Sequence, residues 1–356
     1  MKKISIIGSN GIPAAYGGFE TLVEQLVRNV PKKYSDYKLV VYCSGKGTTK
    51  NYLGATLKYV NIKPNGISSI PYDIISMIRA AFDKSDCILM LGLSGALFIP
   101  FYKFFFSGRV ITNVDGIEWR REKFSFVISL FLKFSELISV KFSDEIISDN
   151  EGVADYIFNK YGRKSTVIPY GGDHVNYDEV SNKSVSNDYK NLNFLGLCRI
   201  EPENNIDMIL EAFSQVSECN ITFIGNWNNS NYGKQLKEKY SNYKNINLKN
   251  PIYDQLKLSH FRNECVGYVH GHSAGGTNPS LVEAMYFSKY IFCFDCNFNR
   301  YTTENKADFF RDTEELTKLL KKFLENNLSE NGDLFNKIAK QRYNWATISN
   351  AYFRLL

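Results

Sequence analysis

Three stretches of this 356-residue chain gather residue types that handle anions. The first, GSNGIPAAYGG (Gly8–Gly18), follows the apolar run KISII directly. Its glycines lack Cβ atoms, so backbone N–H groups there can approach a phosphate or a sugar. The second, CRIEPENNI (Cys198–Ile206), sets Arg199 at the end of a strand pattern, where a guanidinium suits bidentate contact with a diphosphate. The alternative for Arg199 is a surface pair with Glu201 or Glu203. The third, HGHSAGGTNPSLVEAM (His270–Met285), runs from a strand into a helix whose start is marked by Asn278, Pro279 and Ser280. Gly275 and Gly276 free backbone amides there, the helix N-terminus adds its positive end, and Glu283 lies within reach of sugar hydroxyls.

Other chemistries are excluded by spacing. A dinucleotide fingerprint asks for G-x-G-x-x-G, but positions 8, 10 and 13 are Gly, Asn and Pro, and no G-K-[ST] follows to make a P-loop. His270 and His272 form H-x-H without a nearby Cys or carboxylate, and no D-x-D occurs, so no metal site is read. His272 is read as a ligand contact or as the end of its strand. In the first half, NVDGIEW (Asn113–Trp119) follows a strand, which turns Asp115 and Glu118 toward the ligand edge. Asp115 is the candidate general base or hydroxyl contact and Trp119 the candidate stacking platform; a capping Asp and a packed Trp are the alternative. Asn150, in SDNEGVADYI, reads as a helix cap.

The elements that must position these residues alternate twice. Strand-like runs at Lys3–Gly8, Lys38–Cys43, Cys87–Leu91, Val110–Val114, Glu145–Ser148 and Thr166–Pro169 are separated by helical patterns such as FETLVEQLVRNV. The second half repeats this with Leu192–Leu197, Ile221–Gly225, Val266–His270 and Tyr290–Phe294. Continuous apolar strands alternating with helices imply parallel sheets covered on both faces, hence two doubly wound α/β domains. The polar stretch 173–191 reads as a linker between a domain at 1–172 and one at 192–335, and 336–356 as a C-terminal helix crossing back to the first domain.

Composition agrees with this frame. With 44% hydrophobic and 22% charged residues the chain is globular, and its net charge of +6, gathered in no basic block, fits phosphate-bearing substrates or an anionic membrane and no nucleic acid. Seven cysteines, an odd set, read as buried apolar residues in a reduced, cytoplasmic compartment. No transmembrane helix is expected, because lysines interrupt the most apolar regions, Ala96–Phe106 and Phe124–Phe142. Those basic aromatic segments fit either a surface at the inner face of a membrane or helical core packing.

Taken in order, GIPAAYGGFETLVEQL, NVDGIEWRREKF, ISDNEGVADYI, VIPYGGD, RIEPENN and GHSAGGTNPSLVEAM resemble the retaining GT-B glycosyltransferases of family 4 over nearly the whole chain. The opening and the last two motifs look most like a bacterial polysaccharide subgroup that includes rhamnosyltransferases acting on lipid-linked sugars. The resemblance implies two Rossmann-like domains facing a central cleft. It implies transfer of a sugar, L-rhamnose from dTDP-rhamnose, with retention, to a saccharide or lipid-linked saccharide acceptor in surface polysaccharide synthesis, without cofactor or metal. The alternatives are another hexosyltransferase using a UDP-sugar, or a nucleotide-sugar-binding protein or epimerase of the same fold.

In that frame Arg199 holds the diphosphate and Glu283 the ribose. The family has a glutamate eight positions before Glu283 where this chain has Gly275, and a lysine where it has Asn204. Glycine amides, Asn204 and the helix N-terminus would compensate, which puts Asn204 with Arg199 and Asp115 in the expected catalytic set. Gly17, Gly18, His272, Gly275, Gly276, Thr277, Asn278 and Glu283 complete the expected donor site. Tyr16, Glu118 and Trp119 make the expected acceptor site.

Overall fold

The computed structural model describes the whole chain except residues 15–16, 118, 120–124, 176–191, 327 and 329–330. Two compact units emerge: Met1–Tyr170 with Trp345–Leu356, and Gly171–Asn344. Most of the expected linker, 176–191, lies outside the described residues.

In the first unit eight strands, β1 (Lys3–Ile7), β2 (Lys38–Ser44), β3 (Asn51–Tyr52), β4 (Ala55–Val60), β5 (Cys87–Leu91), β6 (Arg109–Asn113), β7 (Glu145–Ser148) and β8 (Thr166–Val167), form one sheet. Its order is β3-β4-β2-β1-β5-β6-β7-β8, parallel except for the β3–β4 hairpin. That hairpin turns through Leu53 and Gly54, both at positive φ (48° and 85°), the geometry a tight two-residue turn requires. Helices α1 (Gly18–Arg28), α2 (Ser69–Phe82), α3 (Ile99–Phe105), α4 (Phe126–Phe142) and α5 (Glu151–Tyr161) fill the crossovers. The periodic FETLVEQLVR buries Leu22, Val23, Leu26 and Val27 of α1 against the strands.

The second unit repeats the plan. Strands β9 (Asn193–Leu197), β10 (Asn220–Ile224), β11 (Ile246–Lys249), β12 (Gly267–His270), β13 (Tyr290–Phe294) and β14 (Asp308–Phe310) run in the order β11-β10-β9-β12-β13-β14, all parallel. Helices α6 (Ile206–Ser214), α7 (Asn231–Tyr240), α8 (Gln255–Glu264), α9 (Pro279–Met285), α10 (Asn297–Thr302), α11 (Thr313–Leu324) and α12 (Gly332–Arg342) connect and cover them. One apolar cluster lies on each face of each sheet, as buried parallel strands demand.

The chain re-enters the first unit at Trp345, not at 336. Phe335, Ile338 and Ala339 of α12 are buried in the second unit's core beside Leu281 and Met285. The last helix, α13 (Trp345–Leu355), instead buries Trp345, Ile348, Tyr352 and Phe353 with Ile4 and Val41 in the first. Asn113 Nδ2 donates to Tyr352 Oη at 2.7 Å and Arg109 to the Leu355 carbonyl at 2.9 Å. All seven cysteines are free. They include Cys293 and Cys296 in a C-x-x-C spacing, which corrects the expectation of cysteines without such a pair; burial pushes both thiols up and leaves them little nucleophilic thiolate.

Candidate functional site

Each sheet has one point where the chain reverses its direction of winding, and in open parallel sheets ligands settle outside the carboxyl ends of the strands there. In the second unit that point lies between β9 and β12. The two loops leaving it carry most of the expected donor-site residues: Arg199 and Asn204 after β9, His272 and Gly275–Asn278 after β12.

Asn204 braces its own loop, its Nδ2 donating to the Arg199 carbonyl at 2.7 Å, and three contacts join that loop to the next. Asn204 Oδ1 meets His272 Nδ1 at 2.7 Å. Asn205 Nδ2 donates to the Gly271 carbonyl at 2.8 Å, and the Ser273 amide donates to the Glu203 carbonyl at 2.9 Å. The approach is so close that a Cβ at Gly271 would lie 2.1 Å from the Asn204 carbonyl oxygen, which explains the glycine. Asn204, buried and engaged at both ends, thus holds the loops in register; the arrangement makes it a positioning residue. Its partner His272 is anchored from behind by Asn299, whose Nδ2 donates to the His272 carbonyl at 2.9 Å.

Against this fixed frame Arg199 is exposed and its guanidinium has no hydrogen bond or ion pair among the described residues, so the alternative pairing with Glu201 or Glu203 is not made. Gly275 adopts φ +96°, a backbone that an L side chain rarely accepts, and Thr277 is buried beneath the loop. Asn278 caps α9, its Oδ1 accepting from the Ser280 amide at 3.1 Å and the Ser280 hydroxyl at 2.8 Å. His270 is buried with Nε2 lacking a partner, and burial drives its pKa down to about 3, so the ring is neutral. Among the described residues no three His, Cys, Asp or Glu side chains come together to hold a metal ion.

Glu283 is not a waiting carboxylate. Its Oε2 pairs with Arg262 of α8 and its Oε1 faces His174 Nε2 at 3.5 Å. Burial pushes the Glu283 pKa up, but Arg262 and His174 more than offset this and hold it below the usual range. Arg262 keeps a buried Nη1 without a partner. Neither partner was legible as such: Arg262 lies in an ordinary helix and His174 in a stretch read as linker.

In the first unit the chain reverses between β1 and β5. The glycine loop leaves β1 at this point, and a Cβ at Gly8 (φ +93°) would lie 2.0 Å from the Leu91 carbonyl oxygen at the end of β5. Two glutamates of α1 strap the loop down. Glu20 Oε1 accepts from the Asn10 amide at 2.7 Å, and Glu24 Oε2 from the Ala14 amide at 2.6 Å. At Gly17 (φ +126°) a Cβ would lie 2.0 Å from Glu20 Oε2, so glycine is required there by both backbone and neighbour, while Gly18 opens α1 on an exposed turn.

Asp115 follows β6 at the same sheet edge with φ +57°, its amide donating to Asn113 Oδ1 at 2.9 Å. Tyr16 and Glu118 lie outside the described residues. Trp119 is not an open stacking platform. Its Nε1 donates to Glu136 Oε2 and Tyr156 Oη, both at 3.2 Å, and the ammonium of Lys133 lies 4.2 Å from a ring centroid, so the packed alternative is the one observed. Asn150 caps α5, accepting from the Gly152 amide at 2.8 Å.

Residues 178–345 match the family described as Glycosyl transferases group 1. The second unit carries a glycosyltransferase group 1 domain. Residues 1–173 match a family described as Domain of unknown function (DUF1972). No curated protein sequence matches the chain. Among solved structures, the sucrose-phosphate synthase of Thermosynechococcus elongatus is 13% identical with a TM-score of 0.82, covering 100% of this chain and 98% of that one. The lipopolysaccharide outer core galactosyltransferase WaaB in its apo form is 13% identical, with a TM-score of 0.68 and full coverage of both chains. The S. aureus MnaA–UDP co-structure is 13% identical, with a TM-score of 0.63 and coverage of 100% and 98%. At these identities the likeness establishes the fold, that of the GT-B glycosyltransferases. In this domain the joined loops after β9 and β12 lie at the carboxyl edge of the sheet, beside its switch point.

Proposed function

We propose that the chain moves a sugar from a nucleotide diphosphate sugar to a saccharide acceptor, with retention of configuration. The donor is dTDP-L-rhamnose, and the acceptor is a lipid-linked saccharide of bacterial surface polysaccharide synthesis. The observation that carries this reading is the pair of loops at the β9–β12 switch point, locked together through Asn204 and His272, with an unpaired Arg199 guanidinium at their edge. Glycosyl transfer requires stabilisation of a leaving diphosphate, and a preorganised cation with backbone donors supplies it without a protein nucleophile. Arg199 meets the diphosphate, the amides of Gly275 and Gly276 and the start of α9 surround it, and Glu283, steadied by Arg262, takes the ribose hydroxyls. The sequence has no D-x-D motif to clamp a diphosphate through a metal, and this reading gives that task to Arg199 and the loop amides. In the first unit Asp115 contacts the acceptor hydroxyl.

The test is incubation of the protein with dTDP-rhamnose and a lipid-linked saccharide, with mass spectrometry for the product and NMR for its anomeric configuration. Parallel UDP- and GDP-sugars separate the donor choices. Gain of one deoxyhexose on the acceptor, with retention, supports the reading. Donor epimerised or unconsumed across the panel refutes it.

A further inference from the structure

We propose that the outer face of α3 and α4 docks on an anionic lipid surface, which goes beyond the transfer reaction and stands without it. The observation is a reversal of polarity along α4. Phe126, Val127, Leu130, Phe134 and Leu137, spaced three and four apart, are exposed, Phe126 by 82%. The side turned to the protein buries Ser135, Glu136 and Ser139 along with Leu132 and Val140. Core packing would put the aromatic stripe inside.

The helix cannot roll to hide that stripe, because buried Glu136 is tied in place. It accepts from Tyr156 Oη at 2.7 Å, Tyr161 Oη at 2.5 Å, Lys160 Nζ at 2.9 Å and Trp119 Nε1 at 3.2 Å. Turning the helix would strand these groups and carry a carboxylate away from its cation. Neighbouring α3 adds Phe101, Phe104 and Phe105 to the exposed set, Phe104 by 81%. A set of large apolar side chains on two adjacent helices exceeds what scattered surface residues account for.

Charge selects the occupant. The two helices carry Lys103, Lys133 and Lys141, and their one carboxylate, Glu136, is buried; Lys103 pairs with Asp144 at 2.7 Å just past α4, which leaves exposed Lys133 and Lys141 beside the stripe. Phenylalanines that enter an acyl boundary beside lysines that meet headgroup phosphates are the pattern of a helix lying in a membrane interface. A second copy docked isologously on the same face would set lysine-bearing helices against each other without compensating acids. At 17 residues α4 is about 26 Å long. No described helix is long and apolar enough to cross a membrane, so this face rests on the bilayer.

The test is flotation of the full chain, without donor or acceptor, with vesicles of phosphatidylcholine alone and of equal parts phosphatidylcholine and phosphatidylglycerol. The protein should float with the anionic vesicles, stay behind with the neutral ones, and release at about 0.5 M salt, where charges are screened within a few ångströms. The triple variant Phe104→Ser, Phe126→Ser, Leu130→Ser should lose anionic-vesicle binding at least tenfold with an unchanged melting temperature. A Phe126→Trp reporter should shift its emission to the blue on vesicle addition whatever the fate of the triple variant. Wild type that ignores both vesicles, a folded triple variant that floats like wild type, or a reporter that does not respond overturns the proposal. So does a wild-type dimer, seen by sedimentation, that the triple variant splits, since this gives the face to a second copy. Because no transfer is read, these outcomes are independent of the enzymatic assay.

Discussion

Arg199 stands just past β9 with no side-chain partner among the described residues, whereas Glu283 already holds Arg262 and faces His174. The two substitutions therefore separate binding from stability. Arg199→Ala removes a charge-assisted contact to the leaving group, worth on the order of 1.5–3 kcal/mol, so turnover should fall tenfold or more while the melting temperature holds. Glu283→Gln should do both kinds of damage. It leaves the buried Arg262 charge uncompensated, at a cost of about 3 kcal/mol visible in the melting curve, and it weakens nucleotide binding measured by calorimetry. From the sequence alone Glu283 reads as a ligand contact with no structural burden, because its partners lie on other elements and leave no local trace. Activity should also survive EDTA, assayed as acceptor glycosylation with and without added Mg²⁺, since the diphosphate is met by protein donors.

The glycine loop after β1 shows how much one element discloses. The run KISII followed by GSNGIPAAYGG marks a buried strand and a glycine loop at the carboxyl edge of the sheet, and both are found, because apolar continuity and glycine spacing are local properties. The straps that fix the loop are less legible: Glu20 and Glu24 look like ordinary polar positions of an amphipathic helix, yet their carboxylates hold the Asn10 and Ala14 amides. The β3–β4 hairpin leaves little sequence signal because Leu53 occupies a positive-φ position where Asn or Gly is the usual cue. For Trp119 the sequence supports both a platform and a packed ring, and the meeting of α4 and α5 around Glu136 shows the ring packed. Neighbouring glycines of the loop should now behave differently. Gly17→Val forces a side chain onto Glu20 at φ +126° and should lower the melting temperature by several degrees. Gly18→Val, on the exposed first turn of α1, should leave melting nearly unchanged and cut turnover by crowding the sugar edge. A stable and fully active Gly18→Val would make the loop a connector only.

At the scale of the molecule, stability should depend on pH through Asp73. This residue of α2 is buried beside Gly95 with Oδ1 unpartnered, and burial raises its pKa to about 8. An unfolded Asp titrates near about 4, so between these values the native chain keeps a proton that the unfolded chain releases. The stabilisation is fully present below about pH 4 and is lost as pH rises through about 8. Glu24, Asp83 and Asp144, all held low, act in the opposite sense and only in acid. Buried His270, neutral down to about pH 3, acts against Asp73 below about pH 6.5, where an unfolded histidine takes up a proton. Melting temperature should therefore hold between about pH 5 and about 6.5 and decline from there to about pH 8, and Asp73→Asn should flatten that decline; an equally steep decline in the variant would assign it elsewhere. Two doubly wound units were legible because their strands are continuous apolar runs, while the return of the chain at Trp345 was not, since α12 and α13 have similar apolar periods and differ only in the core that receives them. The central claim, that the β9–β12 edge binds a nucleotide diphosphate, is tested most directly by calorimetric titration of dTDP, UDP and GDP into wild type and Arg199→Ala. The account predicts saturable binding of at least one of them, tightest for dTDP, weakened at least tenfold in the variant. No binding of any of the three, or equal affinity in both proteins, would contradict it.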